Sequence, residues 1–325
     1  MLDKLKNIVS FFRPLATLGL LIYIGSKIDF GTVFSIMKQS DLKYIASGVV
    51  CYNVAIWFEA FRFYVVMNQF EQKIPYIEIL HIQYVSMFYG TFIPIGMISS
   101  EIVRGYKFSQ QGYSGKKAAA IIIILKTIGL YVLLGSAALS ILELKDTRYY
   151  HFSIALAGLF VVATIVTLTI ICSTHCIDLF ISLNKKMNIH RMNLSGNIDK
   201  LLLTIRMMVV ERKKKIITVL GLTSIGYLFS IFGNLLFAQS LGMDVTLLKM
   251  GWVNGLTGIS MLLPLGLFSF GGKDLTYWYL FKSLGFDMNQ IGAFLFLINA
   301  GYIMNAAIGG FWELYRLISA KLLNR

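Results

Sequence analysis

The sequence has 325 residues, of which 57% are hydrophobic and only 14% are charged, and its formal net charge is +14. A soluble domain carries about 25% charged residues, so this chain has too little polar surface to cover a water-soluble globule of its size. The composition excludes a soluble domain and predicts an all-α polytopic membrane protein. The excess of Lys and Arg then reflects membrane orientation rather than binding to nucleic acid.

Eight apolar segments follow one another along the chain and are predicted to be helical. They cover approximately residues 14–28, 44–67, 77–98, 117–143, 149–172, 216–241, 246–268 and 290–315. The first ends in Ile24-Gly25-Ser26-Lys27, so we interpret it as a short uncleaved span rather than a signal peptide. No flexible linker separates the segments, and residues 1–325 are predicted to form a single transmembrane domain.

Two of the segments, 77–98 and 246–268, contain a break. The break residues are Pro94 and Gly96 in the first segment, and Pro264, Gly266, Gly271 and Gly272 in and after the second. Pro removes a backbone donor and Gly permits a bend. Inside a bilayer such a break is tolerated only where protein or water satisfies the freed backbone groups. We therefore expect two re-entrant broken-helix hairpins beside six full spans.

The two breaks are followed by matching positions. An acid comes first, a Gly follows eleven residues later, and a polar residue lies fourteen residues after that Gly, inside the next span. These positions are Glu101, Gly112 and Lys126 in the first copy, and Asp274, Gly285 and Asn299 in the second. We interpret the pattern as an internal repeat of a broken helix and a spanning helix.

The distribution of Lys and Arg supports this topology. With six spans, two hairpins and both termini in the cytoplasm, the cytoplasmic parts hold 20 basic residues and the outer parts hold 8, as the positive-inside rule requires. The hairpins then open to opposite sides, and the repeat is inverted. Eight plain spans with the N-terminus outside give 18 and 10, so counting alone leaves that alternative open.

The longest polar stretch, 173–215, is rich in Lys and Arg and is predicted to be a cytoplasmic loop. Apolar residues recur at helical spacing over 194–208, which indicates either an amphipathic helix on the membrane face or a solvated helical loop. Cys172, His175 and Cys176 lie at a helix end with no partner cluster elsewhere, so we expect no metal site there.

Ionisable side chains inside apolar spans are costly and usually functional. Lys126 lies deep in a run of apolar residues, so we expect either Glu101 or a lipid phosphate to compensate its charge. Glu59 and Arg62 are three residues apart on one helix and can pair with each other, either within a site or at the membrane interface.

The candidate site combines these cations with nearby acids and suits a phosphate-bearing headgroup. We expect one cavity, and its candidate substrate-binding residues are Arg62, Glu101, Arg104, Lys126, Lys273, Asp274 and Asn299. Glu78 and His81 open the first hairpin, and we expect them to be solvated at a helix end.

Catalysis finds little support in the sequence. It contains no nucleophile elbow, no H-E-x-x-H metal-ligand spacing and no Gly-rich phosphate loop, so we expect neither an enzyme nor a cofactor. The alternatives are a membrane-embedded enzyme using Glu101 or Asp274, and an accessory protein acting on a lipid-linked sugar in cell-envelope glycan synthesis.

Four weak motifs in order resemble the flippase-like membrane family typified by the transmembrane region of lysylphosphatidylglycerol synthases, over roughly residues 10–318. The motifs are Arg62-Phe63; Pro94, Gly96, Ser99-Ser100-Glu101 and Arg104; Lys126 and Gly129; and Pro264, Gly271-Gly272 and Lys273-Asp274. The family more usually has Arg-Trp at the first motif, Arg in place of Lys126, and Arg-Glu in place of Lys273-Asp274. The first copy also lacks the Gly-Gly of the second.

The resemblance implies movement of a lipid headgroup across the bilayer, and we expect a stand-alone member without the synthase domain. The predicted function is flipping of an anionic lipid across the cytoplasmic (inner) membrane. Its substrate would be an aminoacyl-phospholipid or a polyprenyl-phosphate-linked sugar. Partners could include a glycosyltransferase or a lipid-modifying enzyme. No ATP-binding motif is recognised, so movement would be downhill or ion-coupled.

Overall fold

The computed structural model describes residues 26, 28–69, 73–93, 97–143, 149–172, 213–261 and 272–323, and this part of the chain is helical. Its ten α-helices are α1 (Phe30–Gln39), α2 (Leu42–Met67), α3 (Tyr76–Phe92), α4 (Met97–Gln110), α5 (Gly115–Leu139), α6 (Tyr150–Cys172), α7 (Lys213–Ser240), α8 (Leu247–Ser260), α9 (Gly272–Ser283) and α10 (Met288–Leu323).

Several sequence predictions lie outside the described residues. They concern the segment 14–28, the stretch 194–208 in the loop 173–215, the residues His175 and Cys176, and the break residues Pro94, Gly96, Pro264, Gly266 and Gly271. Gly272 is described, as the first residue of α9.

Four helices are long and apolar enough to cross a membrane. These candidate spans are Leu42–Met67, Gly115–Leu142, Lys214–Ser240 and Met288–Ser319, and they coincide with four of the six predicted full spans. Large apolar side chains such as Ile123, Phe232 and Phe311 point outward and are exposed. In water such faces would form large apolar patches, whereas hydrocarbon accommodates them.

The centre of the fold is the antiparallel pair of α2 and α7. A Cβ on Gly48 would lie 3.1 Å from the carbonyl oxygen of Gly233 and 2.7 Å from the Phe237 ring. Further along, a Cβ on Gly226 would lie 3.0 Å from the Cβ of Phe58. Small residues therefore let the two backbones approach closely, as is common for helix pairs in membranes.

Two further antiparallel pairs flank this centre. Helix α3 packs on α10, where a Cβ on Gly309 would overlap the Tyr84 carbonyl oxygen. Helix α8 packs on α5, where a Cβ on Gly255 would lie 2.8 Å from the Leu133 carbonyl oxygen. A helix that precedes one break thus packs on the long helix that lies second after the other break.

The turns between α4 and α5 and between α9 and α10 have the same geometry. Gly112 and Gly285 have φ values of +86° and +92°, a left-handed conformation that favours Gly at a helix C-terminus. Tyr113 donates its N–H to the Phe108 carbonyl at 3.3 Å, and Phe286 donates its N–H to the Phe281 carbonyl at 3.2 Å. The Gly positions of the predicted repeat therefore occupy equivalent turns.

Helix α1 lies between the predicted apolar segments 14–28 and 44–67 and was not predicted. Asp29 caps it by accepting a hydrogen bond from the Gly31 N–H at 3.0 Å. The Asp29 N–H in turn donates to the Asn289 side chain at 2.9 Å, which ties α1 to the start of α10. Ten residues with a polar cap give too short an apolar run to stand out in the sequence.

Candidate functional site

Five charged side chains meet where α2, α4 and α5 approach one another. Helix α2 supplies Glu59 and Arg62, α4 supplies Glu101 and Arg104, and α5 supplies Lys126. We call these five residues the charged cluster. Within α2 and within α4, a spacing of three residues places the acid and the Arg on one helix face.

Glu101 is the bridging acid of the charged cluster. It accepts from Arg104 at 2.6 Å and forms an ion pair with Lys126 at 2.7 Å. Glu59 pairs with Arg62 at 3.1 Å. These contacts confirm that Glu101 compensates Lys126 and that Glu59 and Arg62 are paired.

The five side chains differ in burial. The side chains of Arg62 and Arg104 are 9% and 4% exposed, whereas those of Glu59 and Lys126 are 33% and 38% exposed. The guanidinium groups therefore lie inside the bundle, and the ammonium of Lys126 reaches an accessible surface. A ligand that approaches the cluster would meet Lys126 and Glu59 before the arginines.

Neighbouring groups hold the two guanidinium groups in place. Arg104 stacks over the Phe63 ring at 4.9 Å. Arg62 lies 3.5 Å from both the Leu125 carbonyl oxygen and the Thr223 hydroxyl. A Cβ on Gly129 would lie 3.6 Å from Arg62 Nη1, an ordinary van der Waals distance, so Gly129 lies directly beside this guanidinium.

With three cations and two acids, the charged cluster has a formal charge of +1. Uncompensated charge inside an apolar bundle is costly, and an anion is the group that would balance it. Guanidinium groups are suited to phosphate because their planar fork can donate two parallel hydrogen bonds.

A second polar cluster lies among α7, α8, α9 and α10, and we call it the amide–tyrosine cluster. Its members are Asn234, Asn254, Lys273, Asp274, Tyr277, Asn299 and Tyr302. Asn254 Oδ1 accepts from Asn234 Nδ2 at 2.8 Å and from the Tyr277 hydroxyl at 2.9 Å. The Lys273 ammonium lies over the Tyr302 ring, 3.6 Å from its centroid.

The positions matched by the predicted repeat make matching contacts. Lys126 contacts Glu101 at 2.7 Å in the charged cluster. Asn299 donates to Asp274 at 3.0 Å in the amide–tyrosine cluster. In each copy the polar residue of the spanning helix therefore binds the acid that follows the break.

The candidate residues do not all meet in one group. Arg62, Glu101, Arg104 and Lys126 belong to the charged cluster, while Lys273, Asp274 and Asn299 belong to the amide–tyrosine cluster. Tyr302 of the amide–tyrosine cluster packs against α2, the helix that carries Glu59 and Arg62 of the charged cluster. Tyr52 of α2 meets the Tyr302 ring edge-on at 5.7 Å. The sequence could not separate the clusters, because the packing of helices that are distant in the sequence decides which side chains meet.

The expectation that Glu78 and His81 are solvated is wrong. The His81 side chain is only 3% exposed and lies 3.2 Å from Glu313, while Glu78 pairs with Arg316 at 2.5 Å. Lys107 of α4 also pairs with Glu313. The result is an ionic network that joins α3, α4 and α10, and its partners lie more than 200 residues apart in the sequence.

Sequence reasoning also missed the amides and tyrosines that surround the charges of the second copy. Asn234 and Asn254 are 1% and 5% exposed, and Tyr277 is buried between them. A signal for them exists, because buried amides in apolar membrane helices commonly form interhelical hydrogen bonds. Screening the spans for Asn and Tyr as well as for charges would have found these residues.

Comparison with known proteins gives one result. The family described as Lysylphosphatidylglycerol synthase TM region matches residues 9–309, which is nearly the whole chain. The search of curated proteins found no match to this sequence. Together with four helices long and apolar enough to cross a membrane, this match shows that the chain is a multi-pass membrane protein that belongs to the lysylphosphatidylglycerol synthase TM region family.

Proposed function

We propose that this protein moves the headgroup of an anionic lipid across the bilayer. The observation that carries the proposal is the charged cluster. It places Arg62, Arg104 and Lys126 against only two acids, on helices that include two candidate spans. A lipid phosphate would balance the remaining positive charge while the acyl chains stay in the hydrocarbon.

The two polar clusters lie at different levels along α2, which suits a path for a headgroup. Arg62 and Tyr52 mark the two levels on α2, and they are ten residues apart, or about 15 Å along the helix axis. This is about half of the roughly 30 Å thickness of the hydrocarbon core. A headgroup that passes from one cluster to the other would cross the most costly part of the barrier in contact with polar side chains.

The topology is part of the same proposal: six full spans and two re-entrant hairpins, related as an inverted repeat. Helices α3, α4, α8 and α9 have 17, 14, 14 and 12 residues, and each is shorter than the roughly 20 residues that a span needs. The equivalent Gly turns, the antiparallel packing of α2 on α7 and the matching contacts of Lys126 and Asn299 support it. From the charge distribution we place both termini in the cytoplasm and the protein in the inner membrane.

The acids of the charged cluster are proposed to position cations rather than to catalyse a reaction. Glu59 is engaged by Arg62, and Glu101 is engaged by both Arg104 and Lys126. An enzyme acting on a lipid-linked sugar would need a carboxylate available as an acid, a base or a nucleophile, whereas both acids of the charged cluster are engaged by cations. We therefore favour transport over that alternative, and over an accessory role beside a glycosyltransferase.

The test is a flipping assay in proteoliposomes with lipids labelled on the acyl chain. Lys126→Met keeps the side-chain length and removes the charge, and loss of one charge-assisted contact of about 1.5–3 kcal/mol predicts a roughly 10- to 100-fold slower transport. Lys126→Arg should retain transport. The matched control is Lys116→Met, which removes the same charge from an exposed position of the same helix.

Two results would contradict the proposal. One is wild-type protein that moves no anionic lipid faster than protein-free vesicles do. The other is folded Lys126→Met protein with full transport. Size-exclusion chromatography of each variant separates a loss of transport from a loss of folding.

A further inference from the structure

The amide–tyrosine cluster has hydrogen-bonding capacity that the described residues do not use. Asn254 Oδ1 accepts two hydrogen bonds. Among the residues that the structure describes, however, Asn234 Oδ1, Asn254 Nδ2 and the Thr257 hydroxyl have no hydrogen-bond partner. All three residues are at least 95% buried. Buried polar groups in proteins are nearly always satisfied, so this mixture of open donors and acceptors points to a ligand that offers both.

The charge of this cluster excludes a second anion site. Lys273 and Asp274 are its only ionisable side chains apart from the tyrosines, and their charges cancel. The Lys273 ammonium already occupies the Tyr302 ring face at 3.6 Å, and Asn299 already donates to Asp274. Neither a phosphate nor an ammonium group would find an uncompensated partner here.

Hydroxyl groups fit what remains. A hydroxyl donates one hydrogen bond and accepts others, so it can satisfy an amide oxygen and an amide nitrogen at the same time. The Tyr277 hydroxyl adds a polar group beside the two amides, because it donates to Asn254 Oδ1 and accepts from Asn234 Nδ2 at 3.1 Å. A compact ring that carries several hydroxyls can engage these neighbouring groups together.

The amide–tyrosine cluster lies on the same proposed path as the charged cluster, because Tyr302 packs against Tyr52 of α2, the helix that also carries Arg62. A headgroup that follows this path meets the two groups of side chains in turn. We propose that the transported headgroup is a phosphate-linked polyhydroxylated ring, whose phosphate binds the charged cluster and whose hydroxyls bind Asn234 and Asn254 at successive stages of its passage. That this headgroup is transported rests on the proposed function, whereas its binding to the protein does not.

Recognition is tested by binding in detergent, where no transport is needed. Three short-chain lipids of similar size serve as probes: phosphatidylinositol, a prenyl-phosphate-linked glucose, and phosphatidic acid as the phosphate without a ring. The concentration at which each lipid raises the unfolding temperature is measured. At least one ring-bearing lipid should act at about tenfold lower concentration than phosphatidic acid, which corresponds to about 1.4 kcal/mol. Which of the two acts identifies an inositol or a sugar.

Variants assign that preference to the cluster. Asn254→Leu removes the hub of the network, and Tyr277→Phe removes a single hydroxyl and is the milder change. Both should abolish the preference for the ring and leave the response to phosphatidic acid unchanged. Asn53→Leu is the matched control, because Asn53 also accepts a hydrogen bond from a Tyr hydroxyl, that of Tyr84 at 2.8 Å, outside the cluster. It should keep the preference.

The outcomes separate this inference from the proposed function. The inference would be wrong if phosphatidic acid raised the unfolding temperature at the same concentration as the ring-bearing lipids, or if Tyr277→Phe kept the full preference for the ring. The amide–tyrosine cluster would then serve only to hold helices together. Neither result would contradict transport of an anionic lipid. If the preference is found but no lipid moves in proteoliposomes, the transport proposal fails while the recognition inference stands.

Discussion

Glu101 holds two cations at once, and this makes it the residue on which the charged cluster depends. It lies between Arg104 at 2.6 Å and Lys126 at 2.7 Å. The side chain of Arg104 is 4% exposed and has little access to solvent, whereas that of Lys126 is 38% exposed. Loss of Glu101 should therefore destabilise the protein mainly because it leaves Arg104 unpaired, since a buried cation without its partner is strongly unfavourable.

We expect Glu101→Gln to lower the free energy of unfolding by about 1–3 kcal/mol, measured in mixed detergent micelles. Removal of Lys126 as well relieves one of the two unbalanced charges. The double variant Glu101→Gln/Lys126→Met should thus lose less than the sum of the single variants, with a coupling of about 0.5–3 kcal/mol.

The control pairs Glu101→Gln with Lys116→Met. Lys116 lies ten residues before Lys126, or about 15 Å along α5, so these two changes should be additive. Additivity of Glu101→Gln with Lys126→Met as well would show that the ion pair contributes nothing to stability.

At the scale of single residues, the sequence predicted the ion pairs of the charged cluster and missed those between helices far apart in the chain. The pairing of Glu59 with Arg62 followed from their spacing on one helix, and that of Glu101 with Lys126 from the cost of a deep lone ammonium. The network around His81 could not be predicted, because Glu313 and Arg316 reach it only when α10 packs on α3. Contacts between helices far apart in sequence require the tertiary arrangement.

At the scale of helices, close approach of the α3 and α10 backbones depends on the absence of a side chain at Gly309. A Cβ on Gly309 would overlap the Tyr84 carbonyl oxygen and lie 2.9 Å from the Val85 nitrogen. Both are backbone atoms of a helix, so they cannot move aside as the end of a flexible side chain could. The ionic network of His81 and Glu313 lies on the same helix pair and requires the same separation.

We expect Gly309→Ala to destabilise the protein by about 1–3 kcal/mol through overpacking. Gly301→Ala on the same helix is the matched control, because no atom of a neighbouring element lies within 4 Å of the place that its Cβ would take. That change should be neutral or stabilising by up to about 1 kcal/mol, since Ala has the higher helix propensity. Thermal unfolding of both variants in detergent decides the matter, and equal effects would contradict the packing argument.

Helix boundaries were predicted well where the helix coincides with a long apolar run, and were missed where ion pairs extend a helix beyond that run. Helix α2 was predicted over 44–67 and is observed as Leu42–Met67. Helix α10 was predicted to end near 315 but continues to Leu323. The polar residues Glu313 and Arg316 ended the apolar run, yet their pairing with α3 and α4 keeps this part of the helix packed.

At the scale of the whole molecule, the order of elements repeats. One set of helices runs from α2 to α5 and the other from α7 to α10, and in each a Gly turn joins the helix after the break to a span. The first helices of the two sets, α2 and α7, pack antiparallel, as the contacts of Gly48 with Gly233 and of Gly226 with Phe58 require. In the proposed inverted repeat, the corresponding turns would lie on opposite sides of the membrane. Many transporters build a site at the bilayer midplane from such a repeat.

This arrangement makes a prediction about sidedness that does not depend on the transported lipid. Gln110, beside the first Gly turn, and Lys282, beside the second, are both exposed. In a background with Cys51, Cys172 and Cys176 replaced, Gln110→Cys should react with a membrane-impermeant maleimide only after the cells are opened. Lys282→Cys should react in intact cells, because its turn is proposed to face outward. Labelling of both positions from the same side would contradict the inverted repeat and remove the main structural argument for a path that joins the two polar clusters across the bilayer.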